Sequence, residues 1–178
     1  MIFRETKLSG VFIIEMEQIT DHRGFFSRLF CKKEYHENGV QFEPVQSNFS
    51  YSKYRYTLRG LHYQDAPFRE AKLVRCTRGS IFDVALDLRK DSPTYMNWIS
   101  VELNDENQRT LFVPEGIAHG FMTLQHGTEV TYHVSEYYTP GEEKGIRWDD
   151  PAFDINWPAD PQKISQKDQN WPDFSNHF

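Results

Sequence analysis

The run Leu58-Arg59-Gly60-Leu61-His62-Tyr63-Gln64 sets a permanent cation and an imidazole three positions apart inside an apolar, strand-like stretch. A core strand gains nothing from that pair, whereas a site that moves protons does: imidazole exchanges a proton near neutral pH, and guanidinium grips phosphate or carboxylate. Side chains alternate faces along a strand, so Arg59 and His62, of opposite parity, point apart in a regular one. Gly60 lies between them, and a bulge or bend there turns both toward one pocket. The alternative is a surface arginine beside a histidine satisfied by a core hydrogen bond.

A second segment, Val113-Pro114-Glu115-Gly116-Ile117-Ala118-His119-Gly120-Phe121, is a Pro/Gly turn that delivers His119 to the start of an apolar strand. Its pattern resembles the second cupin motif, whose histidine is often a metal ligand inside a small jelly-roll barrel. The first cupin motif has two histidines two residues apart, followed by a glutamate. Here the matching stretch reads His62-Tyr63-Gln64, with no acid before Asp65 and Glu70. Transition-metal sites take about three protein donors, and only His62 and His119 are evident. The barrel is expected and a bound metal is not.

The elements that must position these residues read as strands. Aromatic residues make up 15% of the chain, and short Val/Ile/Phe/Tyr-rich runs recur between turn signals, the pattern of an all-β sandwich or barrel. Strands are expected at Gly10 to Met16, Gly24 to Phe30, Thr57 to Gln64, Lys72 to Cys76, Ser80 to Leu88, Asn97 to Leu103, Thr110 to Val113, His119 to Leu124 and Glu129 to Val134. In the fifth of these, Phe82, Val84, Leu86 and Leu88 share the apolar, core-facing side, with Ile81, Asp83, Ala85 and Asp87 opposite. Lys33 to Asn38 predicts a short helix, and Ser165-Gln166-Lys167-Asp168 has capping-box spacing for another. Pro-, Trp- and Asp-rich residues 149–178 read as a tail wrapped on the barrel.

The 178-residue length suits one domain, and no low-complexity linker divides it. A net charge of −6 disfavours general affinity for nucleic acid or anionic membranes, so basic residues that converge in an acidic chain are worth noticing. Two cysteines, Cys31 and Cys76, without metal-like spacing, fit a reducing cytosol. No apolar run is long enough to span a bilayer, and no signal-like segment opens the chain. A cytoplasmic protein is expected.

A family resemblance joins these segments. Asp21-His22-Arg23-Gly24-Phe25-Phe26, Gln46-Ser47-Asn48-Phe49-Ser50, Leu58 to Gln64, Lys72-Leu73-Val74-Arg75, Phe82 to Arg89, Ser92-Pro93-Thr94, Pro114 to Phe121, Tyr132, Tyr138 and Trp148-Asp149-Asp150-Pro151 together resemble the dTDP-4-dehydrorhamnose 3,5-epimerase family over nearly the whole chain. The resemblance implies a dimeric jelly-roll cupin that needs no metal or other cofactor and acts on a nucleoside-diphospho-4-keto-6-deoxyhexose.

A 4-keto sugar has acidic C–H bonds at C3 and C5, so epimerisation needs a base, an acid on the opposite face and a stabiliser of the enolate between them. By resemblance, His62 is the base, Tyr132 the acid, Lys72 the cation near the keto oxygen and Asp168 the carboxylate that orients His62. Taken alone, Tyr132 also fits an ordinary strand tyrosine, Lys72 a solvated lysine, and Asp168 a helix cap. Asp83 is a second candidate for holding His62. Arg23, Gln46, Asn48, Arg59, His119 and Tyr138 match positions that contact nucleotide and sugar, Glu143 and Lys167 match outer members of that set, and Phe26 is a candidate packing partner for the base that also fits an ordinary core aromatic. In the family the Arg23 strand reaches into the partner subunit's site.

One residue departs from the pattern. Where the family usually has a glutamate that helps recognise the base, this chain has Arg28. A donor suits a base that presents acceptors, such as cytosine, so a CDP-linked substrate is one alternative. Epimerisation at only C3 or C5 is another. Rivals of other classes are a metal-dependent cupin oxygenase or isomerase and a sugar-nucleotide binding module without catalysis.

Overall fold

The computed structural model describes residues 1–174. The chain begins with strands β1 (Ile2–Glu5), β2 (Phe12–Glu15), β3 (Ile19–Asp21) and β4 (Gly24–Phe26). Helix α1 (Lys32–Glu37) follows, then β5 (Gln46–Ser52), β6 (Thr57–Gln64), β7 (Lys72–Arg78) and β8 (Ser80–Asp87). Next come β9 (Trp98–Asn104), β10 (Thr110–Val113), β11 (Ile117–Thr123) and β12 (Thr128–Val134). The last elements are β13 (Glu143–Gly145), β14 (Lys163–Ile164) and α2 (Gln166–Gln169). The expected all-β class with short peripheral helices is what the chain forms.

Two sheets face each other. One has the order β1-β2-β10-β7-β12-β5; the other runs β13-β6-β11-β8-β9, with β14 added in parallel to β6. β3 and β4 form a separate hairpin. Neighbours within the two sheets that are far apart in sequence, such as β2 with β10 and β12 with β5, give the crossed connections of a jelly roll. Leu8, Val11, Val74, Ile81, Leu111 and Val130 fill the space between the sheets. Helix α1 covers part of the first sheet's outer face, where Tyr35, Val40 and Phe42 pack on Ile14, Leu73 and Phe112.

The alternation in β8 was expected to mark one core face, but both faces are buried. Ile81 and Ala85 face the inter-sheet core, while Val84 and Leu86 lie beneath Phe153 and Phe174 of the C-terminal segment. That segment is tied down by polar contacts: Trp98 Nε1 donates to the Phe153 carbonyl at 2.9 Å, and the Phe174 amide donates to Asp150 Oδ2 at 2.7 Å. A second buried acid, Asp87, closes the turn after β8 by accepting from Arg89 Nε at 2.9 Å, Ser92 Oγ at 2.6 Å and Thr94 Oγ1 at 2.7 Å. Burial alone pushes its carboxyl up, but these donors outweigh burial and hold it at about 2.

Five strands escaped the sequence reading: β1, β3, β5, β13 and β14. β5 is the instructive one, because Gln46, Asn48 and Ser50 line a cavity while Phe49 and Tyr51 are exposed. Its polarity is inverted relative to a core strand, so its period-2 signal reads as a polar loop. The strand expected over Gly24 to Phe30 stops at Phe26, and the two helices start and end within a residue of expectation.

Candidate active site

A cavity of about 500 Å³ lies between the sheets. β5, β7 and β12 supply one wall, β6, β11 and β13 the other, and residues of α2 close one side. Its position follows from the edge of β6. β13 pairs with residues 62–64 and β14 with residues 57–58, leaving a gap between them on the same strand. Into that gap α2 inserts Asp168, whose Oδ2 accepts from the Gly60 amide at 3.5 Å.

Gly60 does what its place between Arg59 and His62 demanded. Its φ is +123°, a conformation that L side chains rarely adopt, and the β6–β11 register shifts beside it. A Cβ here would come within 2.5 Å of the Gly120 backbone, so only glycine lets the two strands approach so closely. As a result Arg59 and His62 both line the cavity despite their opposite parity. Arg59 also reaches across to the other sheet, donating to Ser52 Oγ and to the Tyr51 carbonyl, each at 3.2 Å.

His62 is held between two carboxylates. Nε2 lies 2.6 Å from Asp168 Oδ1, and Nδ1 lies 3.4 Å from Glu143 Oε1. Since a carboxylate only accepts, the Asp168 contact assigns the proton to Nε2 and leaves the lone pair on Nδ1. Once that nitrogen takes a proton, Glu143 stabilises the imidazolium. Asp168 is 4% exposed. Burial pushes its carboxyl up, but the hydrogen bond and charge of His62, with help from Ser165 and the Gly60 amide, more than compensate and hold it below the usual aspartate value. Ser165 Oγ caps α2 by accepting the Asp168 amide at 3.0 Å. The capping-box spacing therefore supplies only its first half, and the carboxylate serves His62 instead.

Trp171 packs on Gly145, opposite His62 in the strand pairing, and lies edge-on to the imidazole at 6.4 Å. A methyl group on Gly145 would overlap its ring. Lys167 pairs with Glu143, whose bond holds the ammonium above its ordinary value, and its Nζ lies 5.4 Å from the Trp171 ring.

The opposite wall carries Tyr132 and Lys72. Lys72 is buried; its Nζ donates to the His62 carbonyl at 3.3 Å and lies 3.1 Å from Glu70 Oε1. Burial pushes the Tyr132 phenol up, the Glu70 and Glu143 charges add to that, and Arg59 opposes them weakly. Tyr132 therefore keeps its proton well past neutral pH, as a proton donor must. Gln46, Asn48, Tyr138, Glu143, Lys167 and His119 also line the cavity, so the structure brings these expected residues together.

One expectation changes, and the other positions fall as follows. Asp83 does not hold His62: its Oδ1 lies 2.7 Å from His119 Nε2, because β8 pairs with β11 rather than β6. Gln64, at the position of a metal cupin's second histidine, is buried, donates to the Phe68 carbonyl at 3.0 Å and accepts from the Thr139 amide at 3.2 Å. It knits loops together. Arg23, Phe26 and Arg28 lie outside this cavity in the single chain: Arg23 pairs with Asp21, Arg28 with Glu34, and Phe26 is 70% exposed.

Sequence reasoning missed Ser50, Glu70, Phe121 and Val134 as lining residues and Trp171 as a support. Glu70 was signalled by its same-face spacing from Lys72. Among the described residues, no three His, Cys, Asp or Glu side chains gather to hold a metal ion, and no helix is long and apolar enough to cross a membrane.

Asp168 gives a direct test by pH. A carboxyl whose folded value is depressed stabilises the fold above its unfolded value of about 4, and that contribution disappears as pH falls through the folded value. Asp168→Asn is expected to flatten the acid side of the stability profile, read as denaturation midpoint against pH, and to lower turnover roughly a hundredfold by removing the charge behind His62.

Fold and site define a class: cupin-type jelly-roll barrels whose cavity carries a His–Asp pair facing a tyrosine and a buried lysine. The family model for dTDP-4-dehydrorhamnose 3,5-epimerase matches residues 5–176. A protein of that name from Methanothermobacter thermautotrophicus is 49% identical over 173 residues, which cover 95% of this chain and 92% of the relative. The crystal structure of a Bacillus anthracis dTDP-4-dehydrorhamnose 3,5-epimerase with TDP and PPi bound superposes with a TM-score of 0.93 at 41% identity, covering 97% of this chain and 98% of that one. A Legionella pneumophila dTDP-6-deoxy-D-glucose-3,5-epimerase in complex with dTDP-4-keto-L-rhamnose gives 0.87 at 40% identity, covering 94% of this chain and 89% of that one. The chain belongs to the dTDP-4-dehydrorhamnose 3,5-epimerase family.

Proposed function

We propose that the protein is an isomerase that inverts C3 and C5 of dTDP-4-dehydro-6-deoxy-D-glucose to give dTDP-4-dehydro-L-rhamnose. The observation that carries this reading is His62 on one sheet, paired with Asp168 of α2, set against Tyr132 and Lys72 on the other sheet across one cavity. His62 removes the proton beside the C4 carbonyl, the electron pair moves onto the carbonyl oxygen as an enolate, and the Lys72 ammonium stabilises that charge. Tyr132 then protonates the same carbon from the opposite face. His62 returns its proton to solvent and the phenolate takes one up, so the sugar is inverted with no net gain or loss.

Arg59 suits the diphosphate, with His119, Gln46, Asn48, Tyr138 and Lys167 completing the nucleotide and sugar contacts. In the single chain the Arg28 guanidinium pairs with Glu34, which favours a thymine-type base over cytosine in this reading. Calorimetry is expected to find dTDP bound more tightly than CDP; the reverse order would restore the CDP alternative.

The reading also takes the chain as one cupin-like unit, its 149–178 tail ending in four residues outside the described ones, working as a cytoplasmic homodimer. The β3–β4 hairpin exposes Ile19, Phe25 and Phe26, and the edge strand β5 exposes Phe49 and Tyr51. Exposed apolar groups beside an unpaired strand edge support exchange of the Arg23 and Phe26 segment between two copies.

The deciding experiment is incubation with the 4-keto substrate in D2O, followed by NMR. Deuterium at both C3 and C5 with inversion is expected. Label at one carbon supports a restricted epimerase, and label at neither leaves a binding module.

A further inference from the structure

Glu70 has no part in the mechanism above, yet it stands in the cavity wall beside the groups that do. Its side chain is 13% exposed and its carboxylate lies 3.1 Å from the Lys72 ammonium, itself 9% exposed. In Glu70-Ala71-Lys72 the two charged residues share parity as the chain enters β7, so both reach the cavity while Ala71 packs outward against the α1 cluster. Withdrawing a carboxylate from water is costly unless it is paired, so this acid is held there by Lys72 and holds it in turn. A lysine side chain has four freely rotating bonds, and two contacts, to Glu70 and to the His62 carbonyl, restrict its ammonium to one place.

Building on the epimerase reading, we propose that Glu70 is a positioning residue: its carboxylate fixes the Lys72 ammonium beside the base, in the cavity wall that also carries Tyr132. The other titratable and charged side chains that line the same cavity come from several elements. β6 contributes Arg59 and His62, β7 Lys72, and β11 His119. β13 contributes Glu143, and α2 adds Lys167 and Asp168. Burial pushes the phenol up, and the Glu70 and Glu143 charges act in the same direction. With the Lys72 ammonium already held in place by Glu70 and the His62 carbonyl, little reorganisation is needed when the enolate forms.

The test is Glu70→Gln, which keeps the shape and removes the charge, with Glu70→Asp as the charge-retaining companion. Tyrosines labelled with carbon-13 at Cζ are titrated by NMR in the ligand-free protein, the Tyr132 signal being the one lost in Tyr132→Phe. Loss of the neighbouring anion must make the phenol easier to ionise, so the Tyr132 midpoint moves to lower pH in Glu70→Gln and stays closer to wild type in Glu70→Asp. The alkaline limb of kcat moves the same way, and kcat at neutral pH falls by about tenfold while KM changes less than about twofold. A kcat at neutral pH unchanged in Glu70→Gln, or lost equally in Glu70→Gln and Glu70→Asp, would overturn the proposal. Both variants are read against wild-type protein that turns over, so this failure is separate from failure of the epimerase reading, which appears as wild-type protein that neither exchanges nor inverts the sugar in D2O.

Discussion

His62→Ala abolishes both deuterium exchange and inversion of the 4-keto sugar, with kcat down roughly ten-thousand-fold, while dTDP binding measured by calorimetry stays within about threefold of wild type. The split follows from geometry. Arg59, the phosphate-binding candidate, is fixed by its own bonds to Ser52 and Tyr51 and does not lean on His62. Asp168, in contrast, loses its partner and is left buried with a single long bond from the Gly60 amide, so the variant also loses stability, by about 2 kcal/mol. His62→Gln controls for this: its amide reaches the position of Nε2 and can still donate to Asp168, yet it is no base, so it should fold like wild type and remain inactive. Retained exchange in either variant would move the base elsewhere, with Glu143 the first alternative because it already touches the same imidazole.

How much of this site was legible in the sequence depended on what each residue had to do locally. Arg59, Gly60 and His62 announced themselves because their types conflict with a core strand. The pairing of His62 did not, since both Asp83 and Asp168 carried suitable carboxylates and only the strand order decides between them. β11 lies between β6 and β8, so Asp83 meets His119 and His62 is left to the acid brought up by α2. The two buried faces of β8 were hidden for a related reason: alternation predicts one apolar face, but a Trp- and Phe-bearing tail supplies a second cover from more than sixty positions away. β5 was lost because a strand that lines a polar cavity turns its hydrophilic side inward. Arg28 marks the limit in the other direction. Its position matched a base-recognition residue, while Glu34, six residues on, offers an ion pair that no motif comparison weighs.

Tyr132→Phe separates the two half-reactions rather than silencing the site. The base, its Asp168 partner and the Lys72 ammonium all remain, so His62 still removes a proton beside the ketone and the enolate still forms. What is lost is the donor on the other wall, where burial and the nearby carboxylates had kept a phenol protonated. Without it the enolate is reprotonated from the His62 side, the face the proton left. The expected result in D2O is sugar that gains deuterium but keeps its configuration, with inversion slowed roughly a thousandfold. The substitution deletes one oxygen from a half-buried ring, so the fold should hold and dTDP affinity should barely change. Inversion at the wild-type rate would assign the acid to another group, and Tyr138, the second tyrosine lining the cavity, would be next to replace. Loss of exchange together with inversion would mean instead that the phenol helps form the enolate, a role for which Lys72 is the better placed group, with its ammonium bonded to the backbone of the base itself.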